Sequence, residues 1–192
     1  MKYLITKPRN EKDLLSVLDM QIRNHKSYLL KEEWKDGYVT LLTPLSYLKT
    51  LGMSRNVMMA HYPDSDICYA GTPAGYLIWL NEQQTMGSPF MSAFAKDVKK
   101  LVHDVMFNVA LIAQVGVHRR EAGKKSGIGK ELYEHLFNDL KENHNKRYTH
   151  IATEVSSENH PSIEFHKKMG FETLNKYKDG FGNNMFLVGK TF

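Results

Sequence analysis

Residues 114–130 read QVGVHRREAGKKSGIGK, and the fold is decided by how this stretch is read. An apolar run, Phe107 to Val117, leads into a basic turn that ends in Gly127-Ile128-Gly129, and a helical pattern begins at once. Strand, glycine turn and helix in this order set several backbone N–H groups at a helix N-terminus, where they have no partner within the helix. The aligned peptide dipoles add the equivalent of about half a positive charge there. Lys124, Lys125 and Lys130 add full charges, and glycine lets backbone approach a ligand that a Cβ would obstruct. Such a place binds phosphate, and a pyrophosphate fits it best.

Three phosphate motifs compete. A Walker A loop needs a shorter spacing than Gly123 to Gly129, and a Ser or Thr where Glu131 follows Lys130. The dinucleotide fingerprint needs a third glycine, and Leu132 stands in that place. Both fail on residues. The third pattern is a strand ending in V-x-V followed by Arg or Gln-x-x-Gly-x-Gly or Ala. Val115-Gly116-Val117 and Lys124-Lys125-Ser126-Gly127-Ile128-Gly129 resemble it, with lysine in place of Arg or Gln and a slightly longer turn after Val117.

That third pattern is the acetyl-CoA loop of the GNAT acyltransferases, and a second stretch supports the same resemblance. Residues 151–172 read IATEVSSENHPSIEFHKKMGFE, a strand and then Asn159, Ser162, Phe165, His166, Lys168, Gly170 and Phe171 in register with the family pattern. His166 replaces the usual tyrosine. The resemblance is specific from about Phe107 to Phe171 and vague before that. It implies a mixed α/β (α+β) fold, with a mostly antiparallel sheet flanked by helices and splayed central strands four and five. It also implies N-acetyl transfer from acetyl-CoA to a primary amine of a small molecule or peptide, by direct attack without an acyl-enzyme.

Residue roles implied by the resemblance follow position by position. Backbone around Val115, Gly116 and Val117 would hold the pantetheine arm and the thioester carbonyl. Lys124, Lys125, Ser126, Gly127, Ile128, Gly129 and Lys130 would hold the pyrophosphate. Asn159, with Ser162 and Phe165 nearby, would bond a pantetheine amide, or Asn159 would cap the next helix. His166 stands where the family's tyrosine protonates the departing thiolate, and the alternative is a packing histidine. Glu154 matches a glutamate used by some members as general base; a solvent-facing carboxylate is the plainer reading. No nucleophilic serine or cysteine and no metal is expected. A non-catalytic acyl-CoA-binding or sensing module is the competing function, because fold does not fix activity.

Composition bounds these readings. The 192 residues, 42% hydrophobic, make one domain able to bury a substantial core. No apolar run spans a bilayer, and the start MKYLITKPRNEKD has no apolar export segment. The one cysteine, Cys68, cannot form an internal disulfide, which fits a cytoplasmic setting and a small buried side chain. Net charge is +5, from 26 basic and 21 acidic residues, which suits an anionic ligand. Nucleic acid ranks behind it, because the lysines cluster at one loop.

Along the chain, Lys2–Thr6 is predicted as a strand, and Asn10 as the cap of a helix with Leu14, Leu18 and Ile22 on its buried stripe. Thr43-Pro44 opens a short helix that Gly52 stops, and this region would wall the acceptor side in the family. Ile67–Ala70 and Gly75–Leu80 read as a hairpin through GTPAG, with Val57–Tyr62 either a strand or a lead-in. Residues 81–105 are a helical insertion, with Phe90, Phe94, Val98 and Leu101 on one face, that serves as packing helix, substrate lid or homodimer contact. Gly116 is a candidate bulge. Tyr148–Val155, Pro161–Met169, Phe171–Tyr177 and Met185–Val188 complete the pattern as strand, helix and strand pair.

Overall fold

The computed structural model describes residues 3–62, 73–87, 109–122, 124, 126–143, 147–179 and 182–191. Its strands are β1 (Leu4–Thr6), β2 (Val57–His61), β3 (Gly75–Leu80), β4 (Val109–Val117), β5 (His150–Ser156), β6 (Glu172–Lys178) and β7 (Asn184–Thr191). The helices are α1 (Glu11–Asn24), α2 (Leu45–Met53), α3 (Glu82–Gly87), α4 (Ile128–Asn143) and α5 (His160–Lys168), with 3₁₀ turns at Lys26–Tyr28 and Lys31–Asp36. Among the described residues the strands form a mixed sheet in the order β1-β2-β3-β4-β5-β7-β6. The β1–β2, β2–β3, β5–β7 and β6–β7 pairs are antiparallel, and β4–β5 is parallel.

The chain divides into two compact units, one of residues 1–78 with 114–136 and one of residues 79–113 with 137–192. In the first unit, Asn10 caps α1 by accepting from Asp13 N at 3.1 Å. The buried face of α1 is Leu14, Val17, Met20, Gln21 and Asn24, while Ile22 is 42% exposed. The expected Leu14, Leu18, Ile22 stripe therefore holds at Leu14, is half-buried at Leu18 and fails at Ile22. Steps of four advance about 40° further round the helix each time, whereas mixed steps of three and four stay on one face. Gly52 does not stop α2 either; it lies within the helix, where an added Cβ would sit 3.3 Å from Leu14 Cδ2. It is the point of contact between α1 and α2.

The hairpin partner of β3 is β2, with Met59 opposite Tyr76 and Ala60 opposite Gly75. The expected strand at Ile67–Ala70 lies outside the described residues, as do Cys68 and residues 88–105 of the expected insertion. All of β3 and Val57–Ala60 of β2 are buried, which is why both read as continuous apolar runs.

The β4–β5 ladder pairs Val109–Ile112 with His150–Thr153, and β4 then continues to Val117. At the last rung the Thr153 hydroxyl donates to the Ile112 carbonyl at 2.9 Å. A side chain thus occupies a carbonyl of β4 at the point where the two strands part. Gly116 has a different reason from the expected bulge. A Cβ there would meet the Tyr76 ring at 2.6 Å, and Tyr76 is wholly buried. Gly116→Ala should therefore destabilise the protein by about 1–3 kcal/mol through overpacking. Denaturant unfolding reads this directly, and an unchanged midpoint would show that Tyr76 yields freely.

Candidate functional site

The candidate donor loop lies in the first unit, between β4 and α4. Along the end of β4, Gln114 and Gly116 are buried, and Ala113, Val115 and Val117 are half-exposed on the other face. The chain then turns through residues held at both flanks. His118 N donates to Ala74 O at 2.7 Å, and Glu121 N to His118 O at 2.7 Å. The Glu121 carboxylate accepts from the Tyr62 hydroxyl at 2.8 Å. Burial, reinforced by that carboxylate, holds the Tyr62 phenol well above its usual range, so it remains a donor.

Ser126 O accepts from the Tyr3 hydroxyl at 3.4 Å, and the Glu131 carboxylate accepts from Tyr3 N at 3.0 Å. The loop is thus anchored to the N-terminal strand region before α4 begins. Ile128 is wholly buried and fixes the helix start. Gly127 has φ +86°, with nothing within 4 Å of an added Cβ. Here glycine is required by backbone conformation, and it leaves open space at the helix mouth. The first intrahelical bond runs from Glu131 N to Gly127 O at 3.0 Å, so the amides of Ile128, Gly129 and Lys130 precede the ladder. Lys124 and Lys130 are exposed beside them, although Lys130 also pairs with Glu134 at 3.6 Å. Lys125 lies outside the described residues. An anion at this place meets amides, a helix dipole and two lysines together.

The second motif lies in the other unit, on β5 and α5. Glu154 is half-buried on β5, opposite Leu187 of β7. Asn159 caps α5, its side chain accepting from Ser162 N at 3.3 Å, so the capping alternative holds for its oxygen. Ser162 and Phe165 are half-buried. His166 is only 3% exposed, and it packs edge-on against Phe165 and Phe171 at 5.3 and 5.2 Å between ring centres. Its Nδ1 lies 2.7 Å from Ser162 O. A carbonyl can only accept, so Nδ1 carries the proton and the neutral ring keeps its lone pair on Nε2.

Burial lowers the His166 pKa to about 4, against a smaller upward effect of the Ser162 carbonyl. Such an imidazole is neutral at pH 7 and has no ready proton to give. Edge-on rings and a carbonyl partner surround His166 on every side that the structure describes.

Sequence reading missed several residues that shape the loop. Gln114 accepts from Tyr76 OH at 2.9 Å and donates to Leu41 O at 2.7 Å. Arg119 donates to Gly37 O at 3.0 Å and to Glu33 O at 2.9 Å. The signal for Gln114 was visible, since it is the one polar side chain within VALIAQVGV. Arg119 looked like one more loop cation, and nothing local distinguishes it. A cavity of about 480 Å³ in the second unit, lined in part by His150, Glu172, Leu174 and Lys190, contains none of the candidate catalytic or CoA-binding residues. Among the described residues no cluster of three or more His, Cys, Asp or Glu side chains could hold a metal ion.

A mixed sheet with one parallel pair that parts, followed by a glycine turn and a helix, is the architecture in which comparison with known proteins places this chain. The model of the Acetyltransferase (GNAT) family matches residues 28–171. The chain belongs to the GNAT family and is an acetyltransferase by that membership. Solved structures with the same fold include the NatC complex bound to Gag peptide and CoA, at 14% identity and TM-score 0.66, covering 100% of this chain and 99% of that one. Ard1 from Thermoplasma volcanium matches at 16% identity and TM-score 0.63, over 100% and 98%. Ribosomal-protein-alanine N-acetyltransferase from Brucella melitensis matches at 18% identity and TM-score 0.62, over 98% and 99%. A search of curated protein sequences finds no match. No helix among the described residues is long and apolar enough to cross a membrane.

His166 also makes stability depend on pH. Its folded pKa, about 4, lies below the unfolded value near 6.5, so the unfolded chain binds the proton first. The stability present above pH 6.5 is therefore lost as pH falls from 6.5 toward 4, by up to about 3 kcal/mol. Melting temperatures of wild type and His166→Phe across this range test it. The variant should lose less stability on acidification, and parallel curves would mean that His166 is not the buried group responsible.

Proposed function

We propose that this protein transfers an acetyl group from acetyl-CoA to a primary amine of a small molecule or peptide, within the cytoplasm and without an acyl-enzyme. The amine nitrogen attacks the thioester carbonyl carbon, the C–S bond breaks, the proton lost by nitrogen passes to Glu154 directly or through water, and solvent protonates the departing thiolate. The carrying observation is Gly127, at φ +86° with open space beside it, immediately before α4. Family membership favours CoA over other pyrophosphates at that cradle.

In this reading the backbone of Val115 to Val117 holds the pantetheine arm and polarises the thioester carbonyl. The amides of 127–130, with Ser126, Lys124, Lys125 and Lys130, hold the pyrophosphate. Asn159, Ser162 and Phe165 are pantetheine-side residues by the family pattern alone. Glu154, on β5, is the carboxylate we assign as proton acceptor, directly or through water. Thiolate is a tolerable leaving group, so His166 is assigned a packing role and solvent returns the proton to sulfur.

The amine acceptor is assigned to the side formed by residues 25–43. Calorimetry with CoA tests the donor site first. Gly127→Glu introduces both a like charge and a side chain at positive φ, and binding should fall beyond detection while the fold persists. Undiminished affinity in a folded variant would overturn the assignment. Release of free thiol from acetyl-CoA in the presence of an amine panel then tests transfer. Tight CoA binding with no thiol release across the panel would favour a sensing module.

A further inference from the structure

Arg119 is the second residue after β4, at the start of the donor loop, yet its guanidinium does not point to solvent. It is 19% exposed and donates to the carbonyls of Gly37 and Glu33, with the Glu33 carboxylate 3.8 Å away. These carbonyls belong to the last turn of the 3₁₀ helix Lys31–Asp36 and the glycine that ends it at φ +86°. The planar fork of the guanidinium reaches both carbonyls at once. The opposite end of the same helix is closed by its own Glu33, whose carboxylate accepts from Leu30 N at 2.8 Å.

The rest of this segment is pinned just as closely to α1 and β4. Val39 N donates to Asn24 O at 2.9 Å, and Lys26 N donates to Val39 O at 2.9 Å. Asn24 in turn donates from its side chain to Val117 O at 2.9 Å. Gln114 holds Leu41, and Gln21 holds Thr43 by accepting from its backbone N at 2.8 Å. All of these residues lie in the first unit.

From this arrangement we infer that Arg119 is a positioning residue that couples occupancy of the donor loop to the 31–43 segment. The inference rests on reading the loop as the CoA site. Residues 33 and 37 have their carbonyls bonded to a side chain borne by the loop itself. A pyrophosphate bound at the loop adds negative charge to the stretch that bears Arg119 and so changes how firmly that fork is held. By linkage, whatever the ligand does to the segment, the segment does to ligand affinity in equal measure.

The segment carries its own reporter. Trp34 sits between the two anchored carbonyls, its ring 5.5 Å from that of Tyr38 and capped by Lys26 Nζ at 4.3 Å. A cation over an indole face makes emission sensitive to small movements. The chain's other tryptophan, Trp79, is in the second unit and packs on Tyr148.

The test uses the full-length protein and CoA alone, so no acceptor needs to be known. Fluorescence is excited at the red edge of the indole band, where adenine is transparent, and calorimetry measures binding in parallel. Trp34→Phe supplies the Trp79 background. In wild type the Trp34 signal should change with the calorimetric midpoint. Arg119→Lys keeps the charge without the fork, and Arg119→Ala removes both. In each the Trp34 response should vanish while CoA still binds, about fivefold or more weakly. A silent Trp34 in wild type despite measurable binding heat overturns the coupling, and so does an undiminished response in Arg119→Ala. If Arg119→Ala fails to fold, Arg119→Lys decides by the same criterion. Absence of any binding heat in wild type overturns the donor-site reading itself, a distinct result.

Discussion

The parting of β4 from β5 after Ile112 and Thr153 is the constraint on which the rest of the structure depends. A continuing parallel ladder would commit the backbone of β4 to its neighbour as far as Val117. Instead the Thr153 hydroxyl takes the Ile112 carbonyl, and β4 runs on for five residues beyond the shared register. Backbone groups at the end of such a strand can serve a ligand because no neighbouring strand on that side claims them. The donor loop follows directly, and its helix mouth begins where Ile128 is buried and Gly127 takes the left-handed conformation.

A second feature of the first unit is how it accommodates irregular backbone. Residues 25–43 contain only 3₁₀ turns and a single bridge, His25 to Val39. Several of their backbone groups are held by side chains from α1, β4 and the loop, namely Gln21, Gln114 and Arg119, and by His25 at the segment's own start. A hydrogen bond of this kind adds only about 1 kcal/mol net, but leaving a buried partner unmade costs more. The set therefore specifies one conformation more than it adds stability. A segment shaped in this way suits recognition, where a defined surface matters more than a strong one.

His166 shows why a residue's place in a motif does not settle its chemistry. It is in register with a family tyrosine, and histidine is a natural acid. In the folded protein two phenylalanine rings flank it, water is excluded, and its one ring proton is bonded to a helix carbonyl. Desolvation then sets its protonation state, and the neutral form prevails. The same burial that keeps it neutral lets it fill the space between α5 and Phe171.

The donor loop was legible from the sequence because its function resides in backbone. Gly127, the basic residues around it and the helix that follows are all local, so their order along the chain specifies their geometry. Strands β3 and β4 and the Ile128, Leu132, Leu136, Leu140 face of α4 were legible for the same reason, since their periodicity is fixed within each element. The face of α1 was not, because three- and four-residue steps compete along it, and partners distant in sequence, Thr43 for Gln21 and Val117 for Asn24, belong to the folded chain. The contacts of Gly116 and Gly52 were not legible because their partners, Tyr76 and Leu14, are distant in sequence. Arg119, Gln114 and the neutral state of His166 likewise depend on which carbonyls and rings the tertiary fold brings against them. Backbone conformation is encoded over a few residues, whereas burial and the partners of a polar side chain exist only once distant segments have met.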